Sequence, residues 1–461
     1  MQKNIILFIA SLAMFMEAVD TTVINTAIPA MSQSLHVNPI DLKLALISYL
    51  LSLSIFIPIS GWIADKFGVK KVFIIAIIVF TLSSIWCGFT TNLNELIIAR
   101  FIQGLGGSLT LPIGRLIIVR TCEKHELIVK MNAVVMVASL GLMLGPVVGG
   151  LITHYFSWRW IFWVNVPIGL LAVVLSMTLL PEMGKRPVHV LDKIGFFLFG
   201  IGLAMLTYSL STFSETDGDT SHSLVMMMVA FVLLISYAIY SQNKTHPIVN
   251  VNLLRIRTFR ISVLGNLLSR LGFGGVPFLL PLLLQIGLKL PAQVSGLLMA
   301  PVAIGVIIVK PVSLTFLRLL GYRRLLILNT VLVGCSLSAF ATIGLSVSFY
   351  YIIMLTFIYG FLVALQYTGM NSLAYANISY DEVSAATSIM STTQQIAQSF
   401  GVAFAAILVR VYESSFSSFD TLSLATMHKT FFTLGALTIL SILIFLGLKK
   451  FDGQEMIGRK K

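Results

Sequence analysis

Fourteen stretches, each with the roughly 20 mainly apolar residues that an α-helix needs to cross a bilayer, follow one another along this chain of 461 residues. No interval between them is long enough to hold a soluble domain. Inside hydrocarbon every backbone amide must find its partner within the protein, so runs of this length have one outcome, a bundle of transmembrane helices. The spans read as residues 5–30, 42–64, 72–91, 94–114, 128–153, 160–180, 194–213, 222–242, 260–286, 294–316, 323–345, 349–375, 384–410 and 428–448. With 57% hydrophobic and only 11% charged residues, the chain is far more apolar than a soluble domain, of which about a quarter is charged. The first stretch starts at Asn4 and runs past Ile28. That is too long for a signal-peptide core and has no persuasive cleavage site, so it is expected to stay as the first helix.

The net charge of +13 raises the question of nucleic acid, and the placement of the basic residues answers it. With both termini in the cytoplasm, 23 of the 31 Lys and Arg fall on the cytoplasmic side, 5 fall outside, and 3 (Arg100, Arg270 and Lys310) lie within spans. This asymmetry follows the positive-inside rule and requires an even number of helices. The surplus charge meets anionic lipid headgroups. Cys87, Cys122 and Cys335 sit in or beside different spans without paired spacing, so neither a disulfide framework nor a thiolate metal site is implied. The seven histidines (His36, His125, His154, His189, His222, His246 and His428) contain no i, i+4 pair, and no metal site is expected.

Laid on itself at an offset of 253 residues, the chain places residues 68–71 (GVKK) over 321–324 (GYRR) and the first span over the ninth. Repeats between halves are how many transporters are built. The expected organisation is a six-helix half over 1–184, linkers and two inserted helices over 185–257, and a second six-helix half with a short basic tail over 258–461. Within the second linker, residues 248–257 mix apolar and basic side chains. They suit an amphipathic segment on the inner membrane surface or an ordinary solvated loop. The acidic loop 214–219 (SETDGD) lacks the ligand spacing of a calcium loop and reads as a solvated turn. Ser379 and Glu382 have the spacing of a capping box at the start of the thirteenth span. Met226, Met227, Met228 and Phe278 suit a greasy pocket or a lipid-facing surface.

Charged groups in a bilayer are costly unless they meet water or a partner, so each is a candidate functional residue. By these spans the embedded carboxylates are Glu17 and Asp20, whose i, i+3 spacing puts them on one face of the first helix. At about 1.5 Å per residue, Asp20 lies roughly 13 Å below the outer end of its helix and Arg100 roughly 9 Å below that of the fourth. Those depths allow an ion pair. A carboxylate that loses its cation in one conformation binds a proton differently in the two, as coupling requires. The expectation is that Asp20 carries the proton, Arg100 sets its affinity and Glu17 modulates it; the plain alternative is a permanent ion pair.

Residues 61–71 (GWIADKFGVKK) form a charged turn in which Gly61 and Gly68 permit close approach and a tight bend. Asp65 can meet a helix N-terminus or an Arg of the other half, and Lys70 and Lys71 anchor the turn inside. In the fifth span Gly141, Gly145 and Gly149 recur every four residues beside Pro146 and Gly150, a small-residue stripe that lets two helices touch at the backbone. Arg270 and Lys310 lie in a half with no embedded carboxylate. They would favour an anion, a zwitterion or a neutral solute over a lipophilic cation, or else cap carbonyls at a helix break or snorkel.

Four stretches resemble signatures of the fourteen-helix drug:proton antiporters of the major facilitator superfamily. They are residues 20–29 (DTTVINTAIP), 100–107 (RFIQGLGG), 141–150 (GLMLGPVVGG) and 158–167 (WRWIFWVNVP). The resemblance covers the whole chain and is nearest to a branch of shorter bacterial multidrug-resistance exporters. It implies an all-α bundle of 14 helices (6 + 2 + 6) in a bacterial inner membrane, exchanging protons for small molecules by alternating access. It also implies that the 61–71 turn acts as a gating latch through Asp65, and that the fifth-span glycines seal against leak. Asn25 and Gln103, within these signatures, join Arg270 and Lys310 as candidate substrate-cavity residues. The alternative cargo is an anionic metabolite or a chelate of citrate or siderophore type.

No cofactor is expected, because there is no phosphate-cradling Gly-Lys-Ser/Thr loop. An interfacial enzyme would need clusters of His, Asp or Glu, so no catalysis is expected. A proton-coupled importer or a passive facilitator stands behind the antiporter, and a monomer is the expected state.

Overall fold

The computed structural model describes residues 2–122, 124–212, 220–379, 382–413 and 423–457, and helices are the only regular elements among them. Thirteen of these helices are long and apolar enough to cross a membrane. The longest, Ala292–Phe340, covers two of the expected spans: it is two helices meeting at Gly321, where φ is 70° and ψ is 163°. Gly68, its counterpart at the 253-residue offset, also has a positive φ, 99°. The repeat therefore exists in the backbone as well as in the letters. A Cβ at Gly321 would meet open space, so the cost of Gly321→Ala is conformational, about 1–3 kcal/mol. Thermal unfolding in detergent should show it as a lowered midpoint with no change in expression of the folded form.

The chain forms two compact units, Met1–Leu191 with Leu290–Ala300, and Asp192–Lys289 with Pro301–Lys461. The inserted helices group with the second. In the first unit the helices are α1 (Gln2–Val23), α2 (Ile28–Leu35), α3 (Lys43–Phe67), α4 (Val69–Phe89), α5 (Leu93–Thr121), α6 (Lys124–Tyr155), α7 (Trp160–Trp163) and α8 (Asn165–Leu179). A 3-10 turn, Ile24–Ala27, joins α1 to α2, just where Pro29 removes a backbone donor and favours a fresh helix start. Asn92 caps α5 by accepting from the Glu95 amide at 3.0 Å, and the Glu95 carboxylate reaches back to the Thr91 amide. The helices α4 and α5 touch at Gly106, where a Cβ would lie 2.8 Å from the Ala76 carbonyl oxygen. Phe73, Ala76, Ile77, Phe80 and Ile117 are fully buried around this contact.

The second unit holds α9 (Lys193–Thr212), α10 (Thr220–Gln242), α11 (Arg257–Phe273), α12 (Val276–Leu282), most of α13 (Ala292–Phe340), α14 (Phe349–Ala374), α15 (Val383–Tyr412), α16 (Leu424–Leu440) and α17 (Ile442–Phe445). Asp192 ties α9 to α10 by accepting from the Gly195 amide at 3.0 Å and the Tyr240 hydroxyl at 2.8 Å. The 214–219 loop lies outside the described residues.

Residues 248–257 are neither a surface helix nor a free loop. Val251–Arg255 is a 3-10 turn with Leu253 buried, and the Tyr237 hydroxyl of α10 bonds both the N–H and the C=O of Val249. Of the expected capping box, Tyr380 and Asp381 lie outside the described residues; the Ser379 hydroxyl donates to Glu382 at 2.6 Å just ahead of α15. Phe278 is buried and Met228 is exposed.

Candidate functional site

The two embedded charges expected to pair do so at the centre of the first unit. An Nη1 hydrogen of Arg100 donates to Asp20 Oδ2 at 2.6 Å, and both side chains are at least 99% buried. Two amides complete the shell: Gln103 Nε2 donates to Asp20 Oδ1 at 2.8 Å, and Asn165 Nδ2 donates to the same oxygen at 2.7 Å. Asp20 thus accepts from three donors, one at Oδ2 and two at Oδ1. Arg100 also donates to Gln103 Oε1 at 2.6 Å and lies 4.3 Å from the centroid of the Tyr49 ring. Gln103 reaches Ser84 at 2.7 Å. One carboxylate thus gathers α1, α5 and α8 directly, and α3 and α4 through Tyr49 and Ser84.

Glu17 lies one turn back on α1, buried, with Oε2 lacking a hydrogen-bond partner. The charges acting on it are those of Arg115 and Asp20. Arg115 fell just beyond the expected fourth span, but α5 continues to Thr121 and carries it inside. Gln103, expected to line a cavity, is placed as a donor to Asp20. Asn25 is buried in the 3-10 turn.

The charged turn is built differently from the expectation. Gly61 lies within α3 and a Cβ there would meet nothing, so it supplies no close approach; the bend belongs to Gly68. Asp65 pairs with Arg120 at the end of α5, inside the first unit. Lys71 is exposed. The chain after α8 is strapped across this turn by three contacts. The Arg186 amide donates to the Asp65 carbonyl at 3.0 Å, Trp62 Nε1 donates to the His189 carbonyl at 2.8 Å, and Lys70 stands 3.7 Å from Glu182.

The glycine stripe of α6 lies on α1. A Cβ at Gly141 would come within 2.8 Å of the Phe15 carbonyl, one at Gly145 would strike the Thr22 hydroxyl, and one at Gly149 would strike the Val23 carbonyl. Gly150 faces the other way, with Ala292 O 2.5 Å from its Cβ position. Pro146 sits within the helix.

In the second unit Arg270 and Lys310 part company. Arg270 is 9% exposed, stacked 4.0 Å from the Tyr367 ring centroid and within 3.4 Å of Gln398 Oε1. Lys310 is on an exposed face of α13, where its stem can reach an aqueous interface. No group of three or more His, Cys, Asp or Glu suited to a metal occurs among the described residues.

A bundle with a charged and amide-lined centre in one half, a glycine bend repeated in the other, and membrane-length helices throughout is that of a secondary transporter. The chain belongs to the Major Facilitator Superfamily, which it matches over residues 10–402 and 262–453. It is similar to the "Probable transport protein HsrA" of Haemophilus influenzae, with 34% identity over 97% of this chain and 96% of the relative. It is also similar to the "Putative multidrug resistance protein MdtD" of Escherichia coli, with 32% identity over 99% and 97%. Its fold resembles that of the POT family transporter PepTSo, with a TM-score of 0.71 and 16% identity over 96% and 97% of the two chains. The protein is accordingly a multi-pass transporter of the bacterial inner membrane.

Proposed function

We propose that the protein is a proton-coupled antiporter that exports small molecules, drugs among them, by alternating access between its two six-helix halves. In this reading Ala292–Phe340 crosses twice, giving 14 helices with both termini in the cytoplasm, and the functional unit is a monomer that performs no covalent chemistry. The observation that carries it is the Asp20 cluster. An ionised Asp20 holds Arg100, Gln103 and Asn165; a proton on Asp20 removes the charge and one acceptor position, and three helices lose their common anchor. Proton uptake and helix rearrangement then become one event, which is what coupling needs. Asp65, Arg120 and the strap at residues 182–189 act as the cytoplasmic latch, and the α1–α6 contact excludes leak.

The test is proton efflux from acidified everted vesicles on addition of ethidium, with native protein and Asp20→Asn in parallel. Native protein should release protons on ethidium addition, and Asp20→Asn should not, while still folding. An undiminished response in Asp20→Asn would remove Asp20 from the proton path.

A further inference from the structure

Arg270 is the one charge described at the heart of the second unit that has no opposite charge to meet. It stands in the last turn of α11, 9% exposed. Among the described residues it meets the Tyr367 ring and Gln398 Oε1 and forms no ion pair with a carboxylate. An arginine stays protonated in a protein, and a guanidinium held in a membrane bundle without a counter-charge is unfavourable. Stacking on Tyr367 offsets only part of that.

Capping of the helix break does not account for it either. The break carbonyl, that of Gly274, is already taken by Gln398 Nε2 at 2.6 Å. That bond turns Gln398 Oε1 toward the guanidinium, where it accepts from Nη1. Gln398 is therefore the capping residue and also the tether that holds Arg270. With Nη1 occupied, Nε remains buried without an acceptor. The Nε and Nη2 hydrogens form the parallel fork that receives the two oxygens of a carboxylate side-on.

We propose that Arg270, stacked on Tyr367 and tethered by Gln398, is the anion-receiving residue of the second unit and binds a carboxylate group of the transported substrate. The inference rests on the antiporter reading and adds a second substrate class to its cationic drugs: molecules that carry a carboxylate, whether or not they also carry a cationic group. Lys310, on an exposed face, takes no part.

The experiment uses purified full-length protein and reads thermal stabilisation by sodium acetate, succinate and phosphate. Sodium chloride at equal ionic strength is the baseline and ethidium is the cationic comparison. Wild type should be stabilised by the carboxylates above that baseline, and Arg270→Gln should bind them at least ~30-fold more weakly. Gln398→Glu supplies an internal carboxylate beside Arg270. It should erase the succinate response, although it gives up the amide donor to the Gly274 carbonyl, and this keeps the test informative if Arg270→Gln folds poorly. Asp20→Asn should keep the carboxylate response while losing proton coupling, so failure of this assignment and failure of the antiport reading are separately visible. The proposal is overturned if carboxylates stabilise wild type no more than chloride does, or if Arg270→Gln keeps the response.

Discussion

Arg100→Ala should be the most damaging single substitution in the first unit, costing about 3–5 kcal/mol and abolishing uphill transport. The reason is electrostatic. Removal of one partner of a buried pair leaves the other charge stranded, and that penalty exceeds the net worth of the pair itself. Asp20 is fully buried, and the two amides that remain, Gln103 and Asn165, can donate to it but cannot neutralise it. Either the helices separate to admit water or Asp20 keeps a proton throughout the cycle. The first outcome lowers stability and the second stops coupling. Arg100→Ala with Asp20→Asn removes both charges at once and should recover most of the stability while transport stays lost. A double-mutant cycle of unfolding midpoints in detergent reads this directly. If the second substitution recovers nothing, the pair does not compensate charge and the case for a proton switch at Asp20 weakens. Arg100→Lys should fall between, because a point charge can reach Asp20 but has no flat face to lay on Tyr49.

The charged members of this site were legible in the sequence because a charge in an apolar run stands out by its cost. Of the neutral ones Gln103 was marked by its place in a family signature, as a cavity residue, and the others were not. Ser84, Asn165 and Tyr49 are polar residues whose burial is cheap once they are hydrogen-bonded or half-apolar, so nothing in their spacing separates them from the other serines, asparagines and tyrosines of the spans. Asp65 was recognisable as a key residue, but its partner Arg120 is 55 positions away and no local pattern joins them. Arg270 and Lys310 looked alike because a helix that is apolar all round carries no periodicity to say which face is inside. Only the packing shows one buried and the other exposed. The count of spans differs by one for a plain backbone reason: Gly321 turns the chain between two helices without a loop, at the bend that the letters GYRR mark, so two expected spans follow each other directly within Ala292–Phe340.

Gly149→Leu should prevent the first unit from closing, and Gly149→Ala should already cost about 1–3 kcal/mol, the usual effect of forcing extra atoms into a packed contact. A Cβ at 149 would strike the Val23 carbonyl and lie 2.5 Å from Thr26 Oγ1. The first of these is backbone and cannot rotate away, so α1 and α6 must separate. Gly145 offers the internal comparison. Its Cβ would meet the side chain of Thr22, whose hydroxyl otherwise bonds the Ala18 carbonyl at 3.2 Å. Gly145→Ala should therefore be partly relieved by Thr22→Ala, which removes the hydroxyl but leaves the Cβ of residue 22 at 2.9 Å and the Val19 carbonyl oxygen at 3.2 Å. No side-chain substitution on α1 should rescue Gly149→Ala, because the obstacle there is main chain. Between helices in a bilayer, where apolar surface gains nothing by leaving lipid, such close backbone approach is itself the source of affinity. A separation of this kind opens a path for protons along α1, past Glu17 and Asp20. Passive proton entry into vesicles should accordingly rise in Gly149→Ala without any substrate, in parallel with its loss of stability, and be lower in the Gly145→Ala, Thr22→Ala pair than in Gly145→Ala alone. A Gly149→Ala protein that is as tight to protons as the native one would show that the stripe serves packing alone.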